Sequence, residues 1–314
     1  MLKFKGSQNF RQRLLCSTLS GRPIRIDDIR VTSINPGLRD FEASFLRLLE
    51  KITNGCVVEI NETGTSLRYR PGVITGGSGL SHDCCLSRAV GYYVEPLLIL
   101  GLFGKKPLSI TLRGVTNDSI DPTADFLRTA TLPVLRKVLQ SGAGTGSNGD
   151  ANSSAADALE FKVVNRGMRP LGGGEVQLRV PIIKSLESFN FTDEGMVKRI
   201  RGIAFSSRVP PQVTNRLVEG ARGILNKMLA DVYIFTDAVA GANAGKSPGY
   251  GLTLVAETNN GNLLASEWCA SGGAGASSEG VGGGMNGSGE FKLSDLNSVD
   301  EFAESGRSAK KARW

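Results

Sequence analysis

Apolar positions in the first half of the chain form two segments that predict the same order of elements. In the first segment, residues 22–34 predict a strand, and a turn at Asn35-Pro36-Gly37 separates it from a predicted helix over 38–52. The apolar side chains of that helix recur every three or four residues and therefore share one face. They are Phe41, Phe45, Leu48, Leu49 and Ile52.

The same order returns from residue 106. A strand is predicted over 106–115 and a helix over 123–139, and Pro133 is expected to kink or divide that helix. Two predicted strands follow each helix, at 56–61 and 66–69 in the first segment and at 159–164 and 175–181 in the second. A further helix, over 83–103, is expected to close the first segment. This repetition is typical of α/β units that stack to bury their apolar faces.

The pattern changes near residue 182. Two basic amphipathic helices are predicted, over 193–205 and 211–229. Three short predicted strands follow, at 232–236, 251–257 and 262–267. About ninety residues of this kind are enough for a small α/β module of their own.

Two stretches rich in Gly, Ser and Ala have no apolar periodicity. Residues 141–156 predict a surface loop, and residues 271–289 predict disorder. Together these patterns predict an α/β (α+β) fold. Its domains are expected to be a two-repeat body over 1–181, an inserted small α/β domain over 182–270 and a Gly-rich tail over 271–314.

Composition and charge narrow the class of protein. The 314 residues carry a formal net charge of +7, which fits an anionic partner such as nucleic acid without requiring one. The five cysteines form no C-x-x-C pair, which favours a reducing compartment and argues against structural zinc. Lys3, Lys5 and Arg11 interrupt any N-terminal apolar run, and no apolar stretch is long enough to cross a bilayer. We expect a soluble intracellular protein with no membrane partner.

The titratable residues offer little catalytic chemistry. His82 is the one histidine, so multi-histidine metal sites and RNA cleavage by two histidines are excluded. His82 lies next to Asp83 and close to Cys84, but catalytic pairs usually converge from distant segments, so a structural role is favoured. The glycine run over 74–79 lacks the lysine of a phosphate-binding P-loop. No metal and no cofactor are predicted.

Arginine beside Gly or Pro turns is the recurrent polar feature. The clearest case is the run 166–176, where Arg166 and Arg169 flank a turn with three successive glycines. Close backbone approach at glycine and planar guanidinium forks both suit phosphate oxygens. If the repeats stack, such arginines could line one phosphate-binding groove. Two alternatives stay open. The run 166–176 could be a tight hairpin whose arginines are only solvated, and the arginines as a set could be scattered over unrelated surfaces.

Several segments together resemble the RNA 3′-terminal phosphate cyclase superfamily. The resemblance is strongest to its eukaryotic non-cyclising branch, the cyclase-like proteins of ribosome assembly. It covers about residues 7–267 and is carried by Phe10–Leu14, Ser17–Pro23, Asn35–Ala43, Arg113–Asp118, Arg166–Val176, Lys198–Gly202 and Gly245–Gly251.

This resemblance implies a body of stacked βαβαββ-type repeats with an inserted small α/β domain. Family members continue into a further repeat, whereas glycine-rich sequence follows Ala270 here, so a third repeat is expected to be missing or degenerate. Cyclases adenylylate a histidine in the last part of their chain, and no histidine follows His82 in this sequence. The family pattern places Gln8, Arg11 and Arg30 at active-site positions. Three other positions depart from it, namely Phe4, Ser33 and Phe41 in place of a glutamate, an arginine and a polar residue.

The resemblance implies a non-catalytic ribosome biogenesis factor of the nucleus and nucleolus that acts in small-subunit pre-rRNA processing. Its expected partners are the precursor rRNA of the small subunit and a large processome GTPase. The predicted RNA- and phosphate-binding residues are Gln8, Arg11, Arg13, Arg30, Arg39, Arg113, Arg166 and Arg169. Two alternatives stay open. One is an RNA-processing enzyme, either a pre-rRNA endonuclease or a residual cyclase, and the other is a protein-interaction module whose arginines bind acidic partner segments.

Overall fold

The first unit is a four-stranded sheet with two helices. The computed structural model describes residues 1–140, 149–186 and 188–271. The elements of the first unit are β1 (Leu2–Lys5), α1 (Phe10–Ser20), β2 (Ile24–Asp27), α2 (Asp40–Ile52), β3 (Thr53–Asn54), β4 (Val57–Ile60) and β5 (Leu67–Arg70). The strand order is β1-β2-β5-β4, in which β1 and β2 are parallel and the other pairs are antiparallel. A short ladder between β3 and β6 (Val73–Ile74) precedes the next unit.

The second unit repeats this topology. Its elements are β7 (Gly77–Asp83), α3 (Gly91–Leu102), β8 (Leu108–Gly114), α4 (Ala124–Phe126), a π-helix (Leu127–Thr131), α5 (Leu132–Gln140), α6 (Gly149–Ala158), β9 (Glu160–Asn165) and β10 (Gly174–Val180). The strand order is β7-β8-β10-β9, again with one parallel pair at the start. Each unit therefore has the order βαβαββ, and the predicted α/β repeat is confirmed.

A third sheet follows the second unit. Its elements are β11 (Val197–Ser207), α7 (Pro211–Leu225), β12 (Val232–Val239), a 3-10 turn (Gly241–Ala244), β13 (Gly249–Thr258) and β14 (Leu263–Ser271). The strand order is β12-β11-β13-β14, and Val218 of α7 packs on Ala204 and Ile234. The predicted boundary between residues 181 and 182 stays a prediction.

The two repeats bury their helices in one common core. Leu14 and Phe45 of the first unit belong to the same buried cluster as Leu97 and Leu112 of the second. One face of each sheet therefore contacts the core, and the other faces solvent. No helix among the described residues is long and apolar enough to cross a bilayer.

Pro133 disturbs its helix as its chemistry predicts. The five residues before α5 have π-helical hydrogen bonding, and Pro133 is the second residue of α5. Proline cannot donate the hydrogen bond of a regular turn, and a π-bulge is one way of accommodating that loss. The disturbance expected at Pro133 is therefore a π-bulge in a helix that continues from Ala124 to Gln140, not a division into two helices.

The helix predicted over 193–205 is wrong. Residues 197–207 form β11, which lies between β12 and β13 and pairs with both. Residues 202–207 of this strand are buried or half-buried whichever face of the sheet they lie on, so apolar residues such as Ile203, Ala204 and Phe205 follow one another without alternation. Such a run cannot be distinguished from a helix face by its periodicity.

Three smaller predictions also need correction, and some elements have no prediction. The strand predicted over 22–34 ends at Asp27, because Asp28 and Arg30 adopt positive φ angles of 57° and 49°. The helix predicted from residue 83 begins only at Gly91, because β7 continues to Asp83 and a turn follows in which the N–H of Val90 donates to the carbonyl of Val115 rather than within a helix. The described part of the loop predicted over 141–156, from residue 149 onward, belongs to α6. The elements β1 and α1 were not predicted at all, and the predictions for 141–148 and beyond residue 271 lie outside the described residues.

Candidate functional site

Two guanidinium groups stack on one tyrosine where α1, α2 and α3 meet. Arg11 in the first turn of α1 has its Cζ 4.7 Å from the ring centroid of Tyr92 in α3. Arg88, in the loop before α3, has its Cζ 4.8 Å from the same centroid and 5.0 Å from the ring of Phe41 in α2. Each cation–π contact is favourable by about 0.5–1 kcal/mol at an exposed site. The stack therefore joins three helices through two cations.

Carboxylates hold both of these guanidiniums. Arg88 donates through Nε and Nη2 to the two oxygens of Asp121 at 2.8 and 2.7 Å. Arg11 forms an ion pair with Glu95 and donates from Nη1 to the carbonyl of Tyr92 at 2.7 Å. Burial raises the pKa of Asp121 above its usual value, while the bonds from Arg88 favour the charged form. Both arginines are thus fixed in place before any ligand binds.

Arg30 extends the cluster toward the start of α2. Its two Nη atoms donate to the carboxylate of Glu42 at 2.8 and 2.7 Å, and Glu42 is almost completely buried. The same carboxylate accepts the backbone N–H of Arg39 at 2.8 Å, which stabilises the first turn of the helix. Burial and the nearby charge of Glu42 raise the pKa of Tyr92, so its hydroxyl stays neutral. Glu42 thus connects Arg30 electrostatically with the stack on Tyr92.

The glycine-rich turn after β9 positions one arginine in the interior. The side chain of Arg166 is only 2% exposed and binds both oxygens of Asp125, at 2.6 and 2.9 Å. It also donates to Asp237 of β12 at 2.6 and 3.0 Å. Burial alone would raise the pKa of Asp125, but the charge and hydrogen bonds of Arg166, together with Arg128 and Asn117, outweigh it, and the pKa is lowered. Arg166 therefore joins the second unit to the third sheet.

Arg169, three residues later, lies near the surface. It donates to the carbonyl of Ser87, and its Nε lies 3.3 Å from Oδ2 of Asp118. Asp118 in turn accepts the backbone N–H of Asp121 at 2.8 Å. Arg169 is therefore linked through Asp118 to the pair between Asp121 and Arg88. We call Arg11, Arg30, Arg88 and Arg169 the arginine network.

The network is balanced in charge. Its four arginines are matched by four carboxylates, from Glu95, Glu42, Asp121 and Asp118. Opposite charges at contact distance cancel most of the potential that a distant anion would experience. The arrangement orders guanidinium groups without creating a strong positive field.

The structure brings together only some of the predicted phosphate-binding residues. Arg11, Arg30 and Arg169 belong to the network, and Arg39 lies beside it at the start of α2. Gln8 is exposed in the loop between β1 and α1, and Arg13 donates to the carbonyls of Lys5 and Gly6 at 3.3 and 2.9 Å. Arg113 forms ion pairs with Glu175 and Asp83, outside the network, and Arg166 is buried. The role of these residues in binding RNA stays a prediction.

Sequence reasoning missed Arg88 and Tyr92. Both fall in the stretch that was interpreted as one apolar helix, so neither was considered as a site residue. Along the chain, Asp118, Asp121 and Asp125 lie at the start of a helix, where carboxylates favour the helix dipole. In three dimensions, each also binds a different arginine, namely Arg169, Arg88 and Arg166. A cluster of three aspartates in a chain whose arginines lie in loops is the sequence signal that could have indicated these ion pairs.

The single histidine lies in the core. His82 is 5% exposed, and its Nε2 lies 2.9 Å from the hydroxyl of Ser44. Burial and the nearby charge of Lys51 lower its pKa to about 4, so the ring is neutral at physiological pH. Burial also raises the pKa of the Cys84 thiol, and the pairing of His82 with Ser44 agrees with the structural role that was favoured. Among the described residues, no three His, Cys, Asp or Glu side chains are grouped as metal ligands.

Comparison with known proteins identifies relatives along most of the chain. A sequence profile of the RNA 3′-terminal phosphate cyclase family matches residues 2–263. The RNA 3′-terminal phosphate cyclase-like protein of Homo sapiens is 53% identical over 266 residues, which are 85% of this chain and 67% of the relative. An rRNA processing protein of Schizosaccharomyces pombe is 49% identical over 281 residues, which are 89% of this chain and 73% of that protein.

A third relative shows that the similarity is kept at lower sequence identity. An rRNA processing protein of Saccharomyces cerevisiae is 42% identical over 256 residues, which are 81% of this chain and 65% of that protein. The matched part thus amounts to about two thirds of the human and Saccharomyces relatives. These matches confirm the resemblance that the sequence motifs indicated. The chain belongs to the RNA 3′-terminal phosphate cyclase family.

Proposed function

We propose that this protein is a non-catalytic factor in processing of the small-subunit precursor rRNA. It would act in the nucleus and nucleolus, bind RNA through backbone phosphates, and associate with a large GTPase of the small-subunit processome. The names of its relatives support a role in rRNA processing. The finer parts of the proposal, namely the RNA contacts, the GTPase and the compartment, rest on the resemblance to the ribosome-assembly branch.

The arginine network is the observation that carries a binding role. Arg11 and Arg88 are 17% and 26% exposed, so both side chains stay accessible at the surface while their guanidinium groups are fixed over the ring of Tyr92. Preorganised guanidinium forks recognise phosphate or the planes of bases with little loss of side-chain entropy. The single histidine is buried and bonded to Ser44, which argues against its use as a covalent nucleophile.

Crosslinking in cells of the source organism tests the RNA target. The tagged full chain should recover precursor rRNA of the small subunit in clear excess over precursor rRNA of the large subunit. An Arg11→Gln, Arg88→Gln double variant should lose most of that recovery, whereas Arg216→Gln, an exposed position on α7, should not. Equal recovery of both precursors by the parent chain would refute the proposal.

Incubation of the purified chain with radiolabelled ATP and divalent metal ions tests the enzymatic alternative. The binding role predicts that no label remains on the denatured protein. A covalent AMP adduct would establish residual cyclase chemistry instead. Cleavage of a small-subunit precursor transcript by the purified chain would likewise favour the endonuclease alternative.

A further inference from the structure

The first sheet presents a row of cations to solvent. Side chains along its strands alternate between the two faces, and Ile24, Ile26, Leu67 and Tyr69 point into the core. The strand register places the intervening residues on the opposite face. We call this the basic sheet face, and its charged members are Lys3, Lys5, Arg25, Asp27, Glu59, Arg68 and Arg70.

Positive charge is in excess on the basic sheet face. Five cations lie on the face with two carboxylates, and Lys5 also pairs with Asp28, directly after β2, at 3.7 Å, so the formal charge is +2. Asp27 accepts two bonds from Nε of Arg25 at 2.9 Å, and Glu59 accepts from Arg68 at 3.2 Å. Lys3 and Arg70 form no ion pair with any other described residue. This surface, unlike the arginine network, therefore has unneutralised cations.

The cations are also arranged in a way that costs stability. Lys3 lies opposite Arg25 across β1 and β2, and Arg25 lies opposite Arg68 across β2 and β5. Like charges directly opposite each other on neighbouring strands are destabilising. A bound polyanion would remove that repulsion. The row is therefore an arrangement that an anionic ligand stabilises.

The equivalent face of the second sheet shows that the fold does not require this charge. Its outer face carries Arg113, Lys162 and Arg179 with Asp83, Glu160 and Glu175, so it is formally neutral. Arg179 pairs with Glu160, as Arg68 pairs with Glu59. Where Arg25 lies opposite Arg68, however, Ser109 lies opposite Arg179. The same topology thus exists without the row of cations.

We infer that the basic sheet face binds the phosphate backbone of RNA. The inference rests on the proposed role in RNA binding and adds a surface separate from the arginine network. The face has three guanidiniums, which match phosphate oxygens as forks. It has no aromatic side chain and only Val57 as an exposed apolar residue, whereas the centre of a protein interface usually has aromatic anchors. These features favour contact with backbone phosphates that does not depend on base sequence.

The test compares matched neutralisations on the two outer faces. Fluorescence anisotropy of a labelled oligouridylate is measured with the full chain over a range of salt concentrations. Lys3→Gln with Arg70→Gln removes two unpaired cations from the basic sheet face. Lys162→Gln with Arg179→Gln removes two cations from the outer face of the second sheet and serves as the control. Equal thermal unfolding midpoints confirm that all four substitutions leave the fold intact.

The first double variant should bind oligouridylate roughly tenfold more weakly in low salt. The slope of log K against log salt should fall by about 0.7 for each phosphate that is no longer bound, so by about 1.4 in all. The control variant should bind like the parent chain. If both variants weaken binding equally, or neither does, the basic sheet face is not the RNA-binding surface.

Two further outcomes separate this inference from its alternatives. If the parent chain binds no RNA at any salt concentration, the proposed RNA-binding role fails as well. If the parent chain binds RNA and the first double variant binds equally well, only the basic sheet face is refuted. Competition by poly-L-glutamate tests for an acidic protein partner instead of RNA. If poly-L-glutamate binds as tightly as the oligouridylate, and if Lys3→Gln with Arg70→Gln weakens its binding equally, the assignment to RNA is overturned.

Discussion

The first and second sheets share one topology and differ on the faces that they turn to solvent. In both, the inner face is apolar and contacts a common core. On the outer face, the first sheet places Lys3, Arg25 and Arg68 side by side, whereas the second places Ser109 next to the pair of Arg179 with Glu160. The inner faces are fixed by packing. The outer faces are free to differ, and we infer that the difference reflects binding.

A second contrast concerns where the arginines of each unit lie. The first unit keeps Arg70 exposed at the end of β5, with no ion pair to another described residue. The second unit buries Arg166 between Asp125 and Asp237. Sequence alone treats both as arginines beside a Gly or Pro turn. The structure separates a cation available to a ligand from a cation that stabilises the fold.

Removing the buried cation should have the largest effect. Arg166→Met leaves Asp125 in the interior with only Asn117 and the half-exposed Arg128 as partners. Breaking a buried ion pair by removing one partner typically costs about 3–5 kcal/mol. We expect the free energy of unfolding in urea to fall by about 3 kcal/mol, because Arg128 compensates in part.

Arg70→Met is the matched control in the first unit. This substitution at the surface should change the free energy of unfolding by no more than about 0.5 kcal/mol. Arg70→Met should nevertheless weaken RNA binding. At a temperature at which Arg166→Met is still folded, that variant should bind RNA like the parent chain. Equal stability losses at the two positions would contradict the distinction between a structural and a ligand-binding arginine.

Acid should destabilise the second unit through its one histidine. The pKa of His82 is lowered to about 4, while an unfolded histidine titrates near 6.5. Between pH 6.5 and pH 4, His82 is therefore mostly protonated in the unfolded chain and mostly neutral in the folded chain. The stability contributed by this residue is complete above pH 6.5 and is lost as the pH falls toward 4. Between pH 7.5 and pH 5 the loss should be about 2 kcal/mol.

His82→Gln isolates that contribution. Glutamine can keep a hydrogen bond to Ser44 but does not titrate. The free energy of unfolding in urea is measured for both proteins at pH 7.5 and pH 5. Its decrease between the two pH values should be about 2 kcal/mol smaller in the variant than in the parent chain. The inner face of the first sheet contains no histidine, so no similar term arises there. If parent and variant lose the same stability, His82 is protonated in the folded protein and the assigned environment is wrong.

The parts of the fold that were predicted from sequence are those set by local pattern. The face of α2 with Phe45, Leu48 and Leu49 is readable from spacing alone, and all three side chains are buried. The helix wrongly predicted over 193–205 failed for the opposite reason. As the central strand of its sheet, β11 owes its state to pairing with β12 and β13, which spacing does not encode.

The candidate site was harder to predict, because it depends on partners that are distant in sequence. Arg11 was expected from its family position, but the residues that hold it, Tyr92 and Glu95, are more than eighty positions away. The burial of Arg166 could not be predicted from its glycine-rich turn, because Asp237 belongs to the third sheet. The charge row on the first sheet likewise requires the register of three strands.

The smallest expected effect comes from adding the missing cation to the second sheet. Ser109→Arg places a guanidinium opposite Arg179, as Arg25 lies opposite Arg68. If charge on an open sheet face is sufficient for phosphate binding, the outer face of the second sheet should bind one further phosphate. The slope of log K against log salt for oligouridylate should rise by about 0.7, with roughly fivefold tighter binding in low salt.

Ser109→Gln is the control for this substitution, because it adds a side chain of similar reach without charge. It should leave both the affinity and the salt slope unchanged. Thermal unfolding should show a slight loss for Ser109→Arg alone, since the new cation opposes Arg179 across the strands. An unchanged salt slope in Ser109→Arg would mean that one added charge is not sufficient. Binding would then depend on the complete row over β1, β2 and β5, where three adjacent strands place cations opposite one another.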